Sequence, residues 1–191
     1  CPSCGARLQR ETCGRLRCES DGIAVVNNRG IWNAVVPARE KHFRRFITDY
    51  DMIRRLEGRG CPDGRYYREL PYADTTGRFS RDWRIRAASF DCFVERILKP
   101  MERAIGASTS PRALRMLDLG AGNGWMSARL ARRGHDVVAV DLRSDETDGL
   151  GAHVHYEARF ACVRAEFDRL PFEAATFDAV VFNASLHYAE D

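Results

Sequence analysis

Apolar positions along this chain fall into a few kinds of spacing, and each predicts its own element. From 39 to 57, Phe43, Phe46, Ile47, Tyr50, Ile53 and Leu56 recur every few residues while Arg44, Arg45, Arg54 and Arg55 fill the other faces, the stripe of an amphipathic helix. A second helical stripe starts near 81 with Trp83, Ala87, Phe90, Val94, Ile97, Leu98 and Met101. Pro100 is expected to kink or end it, because proline lacks an amide hydrogen and crowds the preceding turn. Between the two, 58–80 is rich in Gly, Pro, Asp and Thr and reads as an irregular loop carrying Tyr66, Tyr67, Tyr72 and Phe79. Beyond Pro111, short apolar runs at 114–119, 136–141, 160–165 and 177–183 alternate with helical segments. That is the pattern of βαβ units, with parallel strands buried on both faces. Near the start, 23–36 holds two β-branched runs around Asn27-Asn28-Arg29-Gly30, a hairpin signal in which Asn and Gly accept positive φ.

These patterns divide the chain into a minor unit over 1–36, a helical cap or linker region over 37–110, and an α/β domain over 111–191. With 191 residues, 45% of them apolar, the chain can build one full core and a small appendage. The net charge is only +3, Lys occurs only at 41 and 99, and acidic residues are interspersed with the many Arg. A nucleic-acid binder usually gathers its basic charge on one face, so this distribution favours solvated helix faces. No apolar run approaches the ~18 residues of a membrane span, and the first residues are polar and cysteine-bearing, so a soluble, cytoplasmic protein is expected. The chain opens at Cys1 without a Met, and its numbering is expected not to start at the native initiator.

The most informative stretch is Leu117–Leu130, LDLGAGNGWMSARL, where a strand runs through a glycine-rich turn straight into a helix. Glycines at 120, 122 and 124 permit the sharp turn and let a ligand lie against bare backbone. Asp141 closes the next strand 21 residues after Gly120, the place from which an acidic residue takes the ribose hydroxyls of a bound nucleoside. Both dinucleotide and S-adenosylmethionine sites share this layout. Three details favour methyl transfer: the glycines follow GxGxG instead of the GxGxxG that seats a pyrophosphate; Asp118 before the loop would repel phosphates but suits a cationic amino-acid moiety; and AEFDRLPFEAATFDAVVFNASLHYAED is not what a dehydrogenase offers.

Over about 114–191 the sequence resembles the class I methyltransferases of the type 11 family, with LDLGAGNGW, VVAVDL, RAEFDRLPF and FDAVVFNASLHYAED as four motifs in order. The resemblance implies a Rossmann-like doubly wound parallel sheet and S-adenosyl-L-methionine as cofactor. It implies that Gly120, Ala121, Gly122, Asn123 and Gly124 line the cofactor and that Asp118 holds its methionine end. Asp141, with Leu142 beside it, would bind the ribose, Glu166 with the Phe167 backbone would meet the adenine, and Asn183 would contact the methionine moiety. Asp118 and Asn183 have the alternative of merely capping turns. A complete fold of this class has seven strands and only four are found here, so the C-terminal strands are expected to be missing by truncation, with disorder or supply by another chain as alternatives.

Cys1, Cys4, Cys13 and Cys18 form CxxC-x8-CxxxxC, two close pairs joined by a short span, as a tetrahedral thiolate zinc site requires. The second pair is wider than a usual ribbon has. Such a structural Zn2+ contributes roughly 10–16 kcal/mol of apparent binding free energy, enough to fold a segment with almost no core; unliganded thiols are the alternative. Cys61, Cys92 and Cys162 are scattered singly. Zinc ribbons precede type 11 methyltransferases in proteins this arrangement resembles, among them an rRNA guanine methyltransferase.

His187, just past the fourth strand, is the general-base candidate because imidazole titrates near neutrality; orienting its loop is the other reading. His42, His135, His153 and His155 show no ligand spacing and read as surface residues. Tyr66, Tyr67, Trp83 and Arg86 are either acceptor-pocket lining or ordinary core and surface positions. The expected partner is a small-molecule methyl acceptor, with RNA as second choice and a non-catalytic S-adenosylmethionine-binding or interaction module as the alternative class.

Overall fold

The computed structural model describes residues 1–107 and 112–188. The expected 110/111 boundary and the last three residues of the fourth motif lie outside them. Strands β1 (Leu8–Thr12), β2 (Arg15–Cys18), β3 (Ala24–Asn28) and β4 (Ile31–Asn33) come first, followed by helices α1 (Pro37–Leu56), α2 (Gly64–Glu69), α3 (Ser80–Phe93) and α4 (Lys99–Gly106). Then β5 (Arg115–Leu119), α5 (Trp125–Arg132), β6 (Asp136–Asp141), β7 (Ala161–Arg164) and β8 (Ala179–Phe182) alternate with short turns.

All eight strands form one sheet in the order β1-β2-β3-β4-β7-β6-β5-β8. The four strands expected from the apolar runs pair in parallel. The N-terminal hairpins join the same sheet, because β4 lies parallel to β7 with Ile31 opposite Cys162. The sheet is therefore mixed, and its minor unit leans on the edge of the major one. The hairpin turn uses positive φ at Arg29 and Gly30.

Alternation along the strands sorts the core onto two faces. Met116 and Val137 pack with Trp83, Phe90, Leu98, Trp125 and Leu130 of the helices. Leu117, Leu119, Val140 and Val163 point the other way, against Phe167, Leu170, Phe172 and Phe177 of the 165–177 segment.

The structure refines several of these expectations. The 58–80 segment is not an irregular loop throughout: Asp63 caps α2 by accepting the Arg65 amide at 2.9 Å, which drives Tyr66 and Tyr67 into the core. A side-chain acceptor at the helix start outweighs the local glycines and prolines. Pro100 does not end the helical run; it sits in the first turn of α4, and the turn before it, Val94–Leu98, widens into a π-helix in which Lys99 N–H reaches Val94 O. That wider turn relieves the clash of the ring with the preceding carbonyls. His135 is not a surface residue, since its side chain is 7% exposed and its Nε2 lies 2.9 Å from Glu102. His155 stacks on Tyr67 at 4.6 Å between ring centroids.

Candidate functional site

The turn from β5 to α5 is built by amides and glycines acting together. Gly120 and Ala121 both donate to Val140 O, at 2.8 and 3.0 Å, which folds the loop over the tip of β6. Gly122 N–H then donates to Asp141 Oδ2 at 2.9 Å, and Arg143 N–H to Oδ1 at 2.8 Å. Asp141 is thus fixed at the strand tip by two backbone amides, while burial raises its pKa above the ordinary value. Gly120, Gly122 and Gly124 all take positive φ. A Cβ on Gly120 would lie 2.2 Å from Ser185 Cβ, whereas one on Gly122 would meet nothing within 4 Å. The loop is packed from behind at 120 and bare toward the cavity at 122.

That cavity, of about 760 Å³, is within the range of small-molecule sites. It is lined by Asp118, Gly120, Ala121, Gly122, Asn123, Asp141, Leu142, Glu166, Phe167 and Asn183, which were expected to hold cofactor, and by His187. Gly124 is the exception among the expected residues: it is the left-handed N-cap of α5. Asp118 is 1% exposed. Ser127 Oγ donates to its Oδ2 at 2.7 Å, and its Oδ1 has no hydrogen-bond partner. Burial pushes its carboxyl up to about 6, against the lowering by Ser127. An unsatisfied carboxylate oxygen at the loop and an open glycine face suit a ligand that brings a cationic donor and a sugar, so the residues present fit S-adenosylmethionine.

Glu166 is buried, and its Oε2 accepts from Arg39 Nε at 2.7 Å. His187 is exposed at the cavity mouth, tilted against Tyr188 with centroids 4.0 Å apart.

The opposite wall comes from the helices. Phe43, Phe46, Tyr50 and Arg54 of α1, Tyr66 of α2, and Trp83 and Arg86 of α3 line the same cavity. Tyr67 does not; its hydroxyl sits against the carbonyl oxygens of Cys61 and Thr147 at 2.6 and 2.5 Å. A charged cluster holds α1 in place: Arg143 Nε donates to Asp51 at 2.6 Å and Arg143 Nη1 to Asp148 Oδ2 at 3.1 Å, while Arg54 grips the same Asp148. Glu40 at the other end of α1 pairs with Arg164 of β7. Arg86 is different. It lies 5.1 Å from the Trp83 ring and makes no hydrogen bond or ion pair among the described residues. Burial, with Arg54 and Arg59 nearby, lowers its pKa from the ordinary arginine value, yet it stays charged at neutral pH.

Sequence reasoning missed Ser127, Ser185, Arg143 and Asp148. A lone hydroxyl in the otherwise apolar start of WMSARL was the one trace of Ser127; the others become legible only when distant segments meet. At the N-terminus, Cys1, Cys4, Cys18 and Asp21 come together, and Cys13 of the expected four is not among them.

Parallel strands β7-β6-β5-β8 with a glycine turn and an acidic strand tip form the layout of a nucleoside-binding α/β sheet. Residues 117–191 match the family described as "Methyltransferase domain". It is 40% identical over 81 residues to an uncharacterised methyltransferase of Mycobacterium tuberculosis, which is 40% of this chain and 38% of that protein. It is 36% identical over 93 residues to a malonyl-acyl-carrier-protein O-methyltransferase of Halorhodospira halophila, covering 48% of this chain and 31% of that protein. The alignments therefore span well under half of either relative. Among solved structures, a plantazolicin methyltransferase in complex with S-adenosylhomocysteine aligns at TM-score 0.36 and 14% identity, over 70% of this chain and 49% of that one. Among the described residues no helix is long and apolar enough to cross a membrane.

Proposed function

We propose that this protein transfers a methyl group from S-adenosylmethionine to a small acceptor bearing a negatively charged group. One observation carries the reading: the cofactor cradle and an aromatic wall with an unpaired guanidinium, Arg86, face each other across a single cavity. When bound, S-adenosylmethionine supplies an electrophilic methyl on its sulfonium. The chain's own residues do the rest by position. Asp118 Oδ1 accepts from the ammonium of the methionine end, Asp141 takes the ribose hydroxyls, and Asn183 borders the methionine moiety. Arg39 occupies one oxygen of Glu166, which leaves Phe167 and the exposed Asp168 at the rim for the adenine side.

Helix α1 acts as a cap. Phe43, Phe46 and Tyr50 exclude water from the transfer path, and Arg86 fixes the acceptor's anionic end against Trp83. Holding nucleophile and methyl in line can lower such a barrier by about 7–11 kcal/mol in favourable cases, so a base is optional. His187 at the mouth is placed to take a proton from an acceptor that loses one. Zn2+ belongs to the N-terminal unit, whose cysteines do not line this cavity, and the protein is cytoplasmic on this reading.

Calorimetric titration of the full-length protein with S-adenosylhomocysteine tests the cofactor half, with binding in the micromolar range expected. Radiolabelled methyl transfer into a fractionated small-metabolite extract, with total RNA in parallel, tests the acceptor half. Label appearing only in RNA overturns the small-acceptor reading, and a full-length protein that does not bind the product analogue overturns both halves.

A further inference from the structure

Two short segments of the N-terminal unit have the same turn. Cys1-Pro2-Ser3-Cys4-Gly5 closes with Gly5 N–H donating to Cys1 O at 3.0 Å, and Cys18-Glu19-Ser20-Asp21-Gly22 closes with Gly22 N–H donating to Cys18 O at 3.0 Å. Gly5 and Gly22 share a left-handed φ, 75° and 72°. The second turn repeats the first at its Cys, Ser and Gly positions, with Glu19 in place of Pro2 and Asp21 standing where the first has Cys4. One ligand atom from each of Cys1, Cys4, Cys18 and Asp21 lies within 4.8 Å of all the others. Cys4 Sγ and Cys18 Sγ are 3.5 Å apart, and Cys1 Sγ is 3.3 Å from Asp21 Oδ2. A tetrahedron with metal–sulfur bonds of about 2.3 Å has edges of about 3.8 Å, so the four atoms are already near coordination spacing.

Cys13 cannot join them. It sits in the tight turn between β1 and β2, while Cys18 lies at the far end of β2, paired with Leu8. Gly14 of the turn and three strand residues, Arg15 to Arg17, separate them, and the three strand steps from Arg15 to Cys18 alone span about 10 Å at roughly 3.3 Å each.

We infer that a zinc-type divalent cation is held by the thiolates of Cys1, Cys4 and Cys18 and the carboxylate of Asp21, and that Cys13 is a free surface thiol. Carboxylate oxygen is an ordinary zinc ligand, and one in place of a thiolate leaves the net charge of the closed site unchanged. The site is structural: it clamps two turns at the free end of the hairpins, and no coordination position is left for a reacting water.

The test is metal analysis of the purified chain, followed by Co2+ exchange and absorption spectroscopy. One zinc per chain is expected after dialysis against a weak chelator. Cys13→Ser leaves both the metal content and the sulfur-to-cobalt charge-transfer band unchanged. Asp21→Cys keeps the metal and raises that band by about one third, the ratio of four thiolates to three. Asp21→Ala weakens zinc binding by at least about tenfold. Should Asp21→Ala not fold, the first two variants still decide. A Cys13→Ser protein that loses zinc or charge-transfer intensity overturns the inference, as does a wild-type chain that holds no zinc or joins Cys4 to Cys18 in a disulfide.

Discussion

Arg54 of α1 lies against Asp148 side-on, Nε to Oδ2 at 2.6 Å and Nη2 to Oδ1 at 3.0 Å, tying the cap to the segment that follows Asp141. The pair is mostly shielded from water, with side chains 23% and 9% exposed. Asp148 also accepts from Arg143, so one carboxylate serves two guanidiniums. Truncating a buried pair leaves its partner desolvated and uncompensated. Asp148→Asn, which strands two cations, is expected to destabilise by about 3 kcal/mol, and Arg54→Met by about 1–2 kcal/mol. Denaturant unfolding checks the order, and hydrogen exchange checks that α1 amides lose protection first. Equal losses for the two variants would refute the shared role of Asp148.

Asp118 should set a pH dependence of its own. Its carboxyl is raised from 3.8 to about 6 by burial, so the fold binds this proton more tightly than the unfolded chain does. The group therefore disfavours folding above pH 6, and that penalty fades as pH falls through 6 toward 4. A shift of this size corresponds to about 3 kcal/mol at most. Asp118→Asn is expected to stabilise the ligand-free protein at pH 7 by up to about 3 kcal/mol, with the advantage gone by pH 4. The same variant should lose at least about tenfold in S-adenosylhomocysteine affinity, since its orphan oxygen then carries no charge for the ammonium. Wild-type affinity should likewise fall as pH drops below 6. Paired thermal and calorimetric titrations from pH 4 to 8 would show both trends.

How much of this was legible in the sequence depends on range. LDLGAGNG and VVAVD signalled strand, turn and acidic tip because the contacts that shape the turn, such as Gly122 N–H to Asp141, lie within one βαβ unit. The cap was visible as an amphipathic stripe, but not what it docks on, since Arg54–Asp148 and Arg39–Glu166 join residues about a hundred positions apart. The fourth member of the cysteine cluster was not legible from spacing. Counting thiols pointed to Cys13, whereas the turn closed by Gly22 N–H on Cys18 O brings Asp21 beside Cys1, Cys4 and Cys18. In 58–80, Gly and Pro masked α2 because one capping carboxylate, Asp63, outweighs them.

Two glycines of the loop should separate folding from binding. At Gly120 an added Cβ meets Ser185 Cβ at 2.2 Å and the φ is +75°, so Gly120→Ala is expected to cost about 2–4 kcal/mol. At Gly122 there is open space and only the backbone strain of φ +55°, about 1 kcal/mol. Gly122→Ala should therefore fold with a modest drop in Tm and lose S-adenosylhomocysteine affinity by about tenfold or more, because the methyl fills the face on which the nucleoside rests. If Gly122→Ala binds normally, the ligand does not lie on that face.

Arg86 offers the sharpest test of the acceptor side, because its two roles move in opposite directions. In the empty cavity it is a half-buried cation facing Arg54 and Arg59 without an anion of its own. Keeping a charge there disfavours the fold, so Arg86→Met, which preserves the packing on Trp83, should raise the melting temperature of the ligand-free protein slightly, by about 1 kcal/mol of stability. An anionic aromatic such as benzoate should supply the missing charge and stack on the same wall. With S-adenosylhomocysteine present, benzoate at millimolar concentration is expected to stabilise the wild type and leave Arg86→Met unaffected, while toluene sulfonamide, a neutral analogue, does little to either. Protection of Arg86→Met by benzoate equal to that of the wild type would mean that the guanidinium does not read the acceptor, and the preference for an anionic substrate would fall with it.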